Sequence, residues 1–214
     1  MLVRVHPEFP PLNTVFADAH LLVIDKPAGL LSVPGRGAEG LVNLTAQVQA
    51  SWPDALVVHR LDQATSGLIV FARGIAVQRA LSHAFATRQV HKRYGAVVLG
   101  DVAGDSGHIE LPLGADWPRR PRQRVDLQQG KAALTLWRVL SREAGCTRLE
   151  LQPVTGRSHQ LRVHLMAIGH PIVGDSLYAP QPMTAPRLLL HAAHLTLQHP
   201  ADDSACAWQA PVPF

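Results

Sequence analysis

The sequence predicts an α+β fold built on a largely antiparallel sheet, and three observations predict it. Apolar runs of strand character come in hairpin-like pairs, as in LNTVFADAHLLVIDK and in segments 132–140 and 147–153. Segments 74–90 and 158–168 carry apolar residues at helical spacing. These helices are scattered among the strands.

The elements follow in order. Residues 12–26 read as strand, turn and strand, ended by Pro27. Residues 28–40 (AGLLSVPGRGAEG) are rich in Gly and Pro and form a loop. Residues 41–51 form a short helix, stopped by Trp52-Pro53. Over 56–72, the run LVVH leads into the loop RLDQATSG and then into LIVFA, a buried-strand run. Residues 74–90 make an amphipathic helix with Val77, Leu81, Ala84 and Phe85 on one face and Arg79, His83 and Arg88 elsewhere. Residues 92–99 (KRYGAVVL) are a strand, and 100–130 are turn-rich. In the helix over 158–168, Leu161, Leu165 and Ile168 share a face and Gly169 stands where a C-cap belongs. Residues 188–198 are a strand. No boundary divides the chain, so a single domain over 1–214 is expected.

A chain of 214 residues can bury one sizeable core, and its 47% hydrophobic content fits a globular protein. No run of about 18 apolar residues appears, so no membrane span is expected. The N-terminal MLVRVHPEFPPLN lacks an apolar stretch and a small-residue cleavage site, so no secretory signal is expected. Cys146 and Cys206 lack paired-motif spacing, which suits a reduced cytoplasmic setting. The net charge is +4, and only three basic residues are lysines (Lys26, Lys92, Lys131). Arginine binds phosphate bidentately and stacks on bases, which suits RNA. Codon bias towards Arg and Ala gives the same composition.

The segment His59-Arg60-Leu61-Asp62-Gln63-Ala64-Thr65-Ser66-Gly67 is the first candidate site. An aspartate among Thr, Ser and Gly is readily a turn former. Yet Arg60 lies two positions away as a phosphate or base contact, and Ser66 and Gly67 can offer backbone N–H groups. The flanking apolar runs would partly bury the Asp62 carboxylate, which is costly without partners. In Thr155-Gly156-Arg157-Ser158-His159-Gln160-Leu161-Arg162, two arginines straddle a helix start, a place that favours anions. One of them can hold RNA phosphate, and the other can pair with a buried carboxylate and lower its pKa. An ordinary capped helix with solvated arginines has the same signature. Tyr94, after Lys92 and Arg93, can stack on an extruded base or be a half-buried strand tyrosine. Arg119, Arg120, Arg122 and Arg124 are interrupted by proline and cannot form a regular helix. They make either an RNA-gripping loop or a solvated one.

Other chemistries lack their motifs. The chain has twelve histidines, but His159 and His164 point to different helix faces, and HExxH and CxxC are missing. No metal is therefore expected. Gly104-Asp105-Ser106-Gly107 is like a serine-protease nucleophile loop, without a suggested His–Asp partner. Neither GxxxxGK[ST] nor GxGxxG occurs, so no nucleotide cofactor is indicated.

Together, HRLDQATSG, Lys92-Arg93-Tyr94, Pro153-Val154-TGRSHQLR-Val163-His164, Lys26-Pro27-Ala28-Gly29-Leu30 and Gly169-His170-Pro171-Ile172-Val173-Gly174-Asp175 resemble the motifs of the RluA family of pseudouridine synthases. The similarity runs from about residue 14 to residue 214. It implies a mixed sheet with an antiparallel core, flanked by helices and loops. It makes Asp62 the catalytic residue, Arg60 the residue that displaces the target base, Tyr94 the one that stacks on it, and Arg162 the partner of the carboxylate. Ile69 and Leu161 would line the pocket. From their charge and position, Arg60, Arg157, Arg119, Arg120, Arg122 and Lys92 are expected to contact RNA. No metal or organic cofactor is implied.

Leu31-Ser32-Val33-Pro34-Gly35-Arg36, Asp116-Trp117-Pro118 and Leu188-Leu189-Leu190-His191-Ala192 are most similar to the short, dual-specificity members of that family. This implies uridines in loops of 23S rRNA and of the tRNA anticodon stem-loop as targets, flipped out for reaction; a monomer is expected. Longer relatives carry an N-terminal S4-like domain, for which no room is expected here. Gly95 is unusually small beside Tyr94. The alternatives are a single-target synthase, a non-catalytic RNA-binding module, and a glycosidic hydrolase, which would want a second acidic partner.

Overall fold

The computed structural model describes residues 11–35, 38–181 and 185–214. Most of the N-terminal segment read for a signal, and Arg36 of the loop motif, lie outside the described residues. The strands are β1 (Thr14–Ala17), β2 (Leu21–Lys26), β3 (Ala55–Val57), β4 (Ser66–Arg73), β5 (His91–Leu99), β6 (Ser106–Glu110), β7 (Leu113–Ala115), β8 (Gln123–Val125), β9 (Leu134–Glu143), β10 (Cys146–Pro153), β11 (Leu190–Gln198) and β12 (Ala205–Gln209). The helices are α1 (Leu44–Ser51), α2 (Ile75–Ala86) and α3 (Gln160–Ala167).

Ten strands form one sheet in the order β1-β2-β4-β11-β5-β10-β9-β6, with β3 on β4 and β12 on β11. Its pairings are antiparallel except for β4 with β11, which makes the sheet mixed. β7 and β8 form a separate hairpin sheet. Strands β2 and β4 read as nearly continuous apolar runs because both of their faces are covered. Leu22, Ile24, Ile69 and Phe71 join one core cluster, while Leu21, Val23, Leu68 and Val70 join the other.

The helices form where periodicity and caps place them. The Asn43 side chain caps α1 by accepting from Ala46 N. α2 packs Leu81, Val77, Ala84 and Phe85 against the second cluster. α3 buries Leu161 and Leu165, whereas Ile168 is its C-cap and is exposed. Gly169 then turns the chain with φ +85°.

Two stretches differ from the sequence expectation. Residues 100–130 contain β6, β7 and β8, strands of five, three and three residues, too short to show a period. β12 runs along β11 as a further strand, with residues that are exposed or half-buried. The arginine-rich segment is a 3-10 turn, Trp117–Arg119, followed by β8, in keeping with its prolines.

Two glycines set close approaches. A Cβ at Gly67, whose φ is +109°, would stand 2.4 Å from the Ala192 carbonyl oxygen, so glycine lets β4 begin against β11. A Cβ at Gly95 would stand 2.8 Å from Val212 Cγ2, which explains the small residue beside Tyr94.

Candidate active site

Asp62 sits in the loop between β3 and β4, and that loop is pinned from several sides. Ser32 Oγ donates to Leu61 O at 2.7 Å and accepts from Leu61 N at 3.1 Å. The buried Lys26 ammonium donates to Pro27 O, Leu30 O and Gln63 O at 2.9, 2.7 and 3.1 Å. Burial pulls the Lys26 pKa down to about 8, partly offset by the charge of Asp62. His59 Nε2 accepts from Val70 N at 3.0 Å, and its ring stacks on Phe85 at 4.5 Å between centroids. Burial, with the nearby Lys92 charge, pushes His59 down to about 3, so it is neutral at pH 7.

The carboxylate itself is partly exposed and held by a caged arginine. Arg162 Nη1 donates to Asp62 Oδ2 at 3.3 Å. Arg162 also donates from Nε and Nη2 to the two oxygens of Asp175, both at 2.7 Å. Asp175 is fully buried and accepts from the backbone N–H groups of Leu177 and Tyr178 as well. Burial alone would lower the Arg162 pKa, but the hydrogen bonds and charge of Asp175, followed by those of Asp62, raise it. Arg162 is therefore a fixed cation shared between two carboxylates.

On the other side of Asp62, His159 adopts a left-handed conformation with φ +54° at the start of α3. Its Nε2 lies 3.9 Å from Asp62 Oδ1, and its Nδ1 is 2.7 Å from Tyr178 Oη. Tyr178 Oη in turn accepts from Gln123 N at 2.7 Å, which ties β8 to the site. Burial holds His159 below the ordinary imidazole pKa.

Asp62 opens onto a cavity of about 110 Å³ lined by Arg60, Tyr94, Lys92, Arg157, Leu161 and Arg162, among others. Seven of the sequence-predicted residues thus meet there. Tyr94 is buried, and burial together with the charge of Asp62 raises its pKa, so its hydroxyl stays protonated. Arg60 is exposed and makes one side-chain contact, 3.3 Å to Ser158 Oγ. Arg157 Nε donates to Ala132 O at 3.0 Å.

Some expectations are corrected. Ile69 is not among the residues that line the cavity: it is fully buried in the core cluster with Phe71 and Leu22. Ser66 and Gly67 do not face Asp62 either; they open β4 in register with β11 and β2, and Thr65 is the last residue of the loop on the wall. Arg119, Arg120 and Arg122 stand outside the cavity on the hairpin segment. Arg119 pairs with Asp116 at 2.8 Å, Arg120 lies 3.8 Å over the Trp117 ring, and Arg122 lies 5.3 Å from the Tyr178 ring. A groove of about 490 Å³ runs from Asp62 and Arg60 to Pro121 and Leu177, between the site and this segment.

Sequence reasoning missed Asp175, His159, Tyr178 and Lys26 as parts of the site. Asp175 and Lys26 stood in recognised motifs, but a buried charge whose partner is 13 residues away carries no local pattern. Among the described residues, no cluster of three or more His, Cys, Asp or Glu is placed to hold a metal. No described helix is long and apolar enough to cross a membrane.

A sequence model of the RNA pseudouridylate synthase family matches residues 20–167. The dual-specificity RNA pseudouridine synthase RluA of Escherichia coli K12 is 47% identical over 211 residues, covering 97% of this chain and 96% of the relative. The enzyme of the same name from Vibrio cholerae is 47% identical, covering 91% and 80%. Among solved structures, human RNA pseudouridylate synthase domain containing 1 superposes with a TM-score of 0.80 at 29% identity, covering 95% of this chain and 84% of that one. Human RNA pseudouridylate synthase domain containing 4 gives 0.74 at 26% identity, covering 94% and 88%.

Proposed function

The chain belongs to the RNA pseudouridine synthase family, and from that premise we propose that Asp62 carries the isomerisation of loop uridines in both 23S rRNA and the tRNA anticodon stem-loop. The observation that carries this reading is the Asp62 carboxylate on the wall of a cavity it shares with Tyr94, with Arg162 fixing one of its oxygens. That there are two RNA targets follows the dual specificity in the names of the bacterial relatives, and their identity as 23S rRNA and the anticodon stem-loop follows the family resemblance of the sequence.

The reaction breaks the C1′–N1 bond, turns the detached uracil and rejoins it through C5; C5 loses its proton and N1 gains one. It involves no net oxidation, and the reading uses no metal or organic cofactor. The uridine leaves its stack first, at a cost of a few kcal/mol. Arg60, lightly tethered at the mouth, fills the vacated space. Tyr94 stacks on the base, a contact worth about 1–3 kcal/mol. Leu161 supplies an apolar wall, and Lys92 and Arg157 meet phosphate. Asp62 acts either as nucleophile at C1′ or as base towards the 2′ proton. Both routes need an ionised carboxylate in one rotamer, which Arg162 provides because Asp175 holds it in place. The hairpin arginines Arg119, Arg120 and Arg122 grip the RNA flanks. The enzyme works in this reading as a cytoplasmic monomer with one catalytic domain over 1–214.

The test uses C5-tritiated 23S rRNA fragments and anticodon stem-loops with the native protein and Asp62→Asn. Tritium release from both RNAs, by the native protein only and without free uracil, is the expected result. Release from one RNA class alone reduces the reading to a single-target synthase. Free uracil points to hydrolysis, and binding without release to an RNA-binding module.

A further inference from the structure

Helices α2 and α3 end in the same motif with different residues at its critical position. At α3, Gly169 N donates to Met166 O at 3.0 Å and His170 N to Leu165 O at 2.9 Å. At α2, Arg88 N donates to Phe85 O at 3.2 Å and Gln89 N to Ala84 O at 2.9 Å. Both are Schellman caps, whose residue after the C-cap adopts the left-handed conformation that suits glycine. Gly169 occupies it with φ +85°, as expected, but Arg88 occupies it with φ +62°. A side chain there is strained, and strained residues that persist are pointers to function.

Arg88 has a place where its charge matters. It lines a cavity of about 330 Å³ together with Lys92, Arg157, Thr155, Gly156 and Phe85. Three cations line this cavity and no carboxylate does. None of the three makes an ion pair among the described residues, in contrast to Arg73, Arg93, Arg119, Arg124, Arg138 and Arg142. Lys92 lies 5.5 Å over the Phe85 ring, and burial lowers its pKa, so an anion beside it would relieve its desolvation. Lys92, Thr155, Gly156 and Arg157 also line the catalytic cavity, so the two cavities share a wall. An occupant of this one lies next to a nucleotide held against Asp62.

We propose that this cavity binds a backbone phosphodiester of the RNA strand beside the target uridine, and that Arg88 is a phosphate-contacting residue retained despite the strain it imposes on the cap of α2. The ligand class follows from three donors of one sign around a pocket open to solvent, next to a base-and-ribose site. The proposal rests on the RNA reading above.

Arg88→Gly separates the two roles of the position, because it relaxes the cap and deletes the charge in one step. The melting temperature is expected to be no lower than that of the native protein. The Kd for the anticodon stem-loop is expected to rise roughly 3- to 10-fold at low salt. The slope of log Kd against log salt should fall in magnitude by about 0.7–0.9, the value of one phosphate contact. Arg88→Lys, which keeps the charge, should recover most of the slope. Unchanged affinity and slope in Arg88→Gly, with a native protein that binds and isomerises RNA, overturns the Arg88 proposal alone. A native protein that neither binds nor isomerises structured RNA overturns the functional reading, and this proposal with it.

Discussion

The caged carboxylate and the arginine-rich hairpin both join guanidinium groups to carboxylates, yet they do so in opposite ways. Arg162 is 4% exposed and its partner Asp175 is 0% exposed, with a bidentate pair of 2.7 Å contacts. Arg119 is 67% exposed and meets Asp116 through one 2.8 Å contact. A buried pair of this kind is a geometric constraint: neither partner can leave without exposing the other to an uncompensated low-dielectric site. Arg119 reaches out of the protein from a buried Asp116 carboxylate, which it meets through Nε alone, so its terminal nitrogens can reach a phosphate without leaving Asp116, in an interaction that salt screens. The first arrangement suits orientation of a reacting group, and the second suits capture of a charged strand.

The strongest way to break this contrast is Asp175→Ala. It leaves Arg162 buried with only the 3.3 Å contact to Asp62, and should cost about 3–5 kcal/mol in urea unfolding. A loss below about 1 kcal/mol would show that the cage does not anchor Arg162. Arg162→Lys keeps charge but cannot span two carboxylates. Turnover should fall on the order of 100-fold from misplacement of Asp62, with RNA affinity little changed; equal losses in both would remove the orienting role.

His59 sharpens the buried side of the comparison through pH. Its pKa is about 3 in the folded protein, against roughly 6.5 unfolded. Between those values the unfolded chain binds the additional proton, so stability is fully present above about pH 6.5 and is lost as pH falls towards 3. The slope from this group approaches about 1.4 kcal/mol per pH unit, and His59→Gln should flatten it in acid unfolding curves.

Tyr178→Phe tests the bridge between the two regions. It removes the oxygen that joins Gln123 N to His159, while the aromatic ring next to Arg122 and Arg162 remains. A stability loss of about 1–2 kcal/mol is expected, with a drop in kcat that exceeds any change in RNA affinity. The smallest effect on the fold is expected for Arg119→Ala with Arg120→Ala. Stability should fall by about 1 kcal/mol, because the buried Asp116 loses its 2.8 Å partner, while the salt dependence of RNA binding weakens. A native salt slope would leave the hairpin merely solvated.

These two regions were not equally legible in the sequence. The HRLDQATSG loop announced itself through apolar runs on both sides, and the structure pins it as that pattern suggests. The strand pairs β1–β2 and β9–β10 and the helix α2 followed from alternation and helical spacing. Arg162 was expected to pair with a buried carboxylate. The resemblance makes that carboxylate Asp62, which Arg162 meets at 3.3 Å; the closer partner, Asp175, is brought in by the chain beyond α3, and no periodicity reports such a contact. Ile69 was misplaced because a strand covered on both faces gives no sign of which residues abut a cavity. β7 and β8 pair over three residues each, too few for alternation to stand out from the surrounding turns.

The position of β11 has a consequence for how the enzyme is made. This strand, residues 190–198, lies between β4, which begins beside the Asp62 loop, and β5, which carries Tyr94. Its contacts with both span roughly a hundred residues or more, and such closures come late in folding. When Asp62, Tyr94 and Arg162 have been synthesised, the strand that lies between the first two in the sheet is still to be made. In the proposed reading, a chain cut before residue 190 should not isomerise RNA, because β4 and β5 then lack the strand that lies between them.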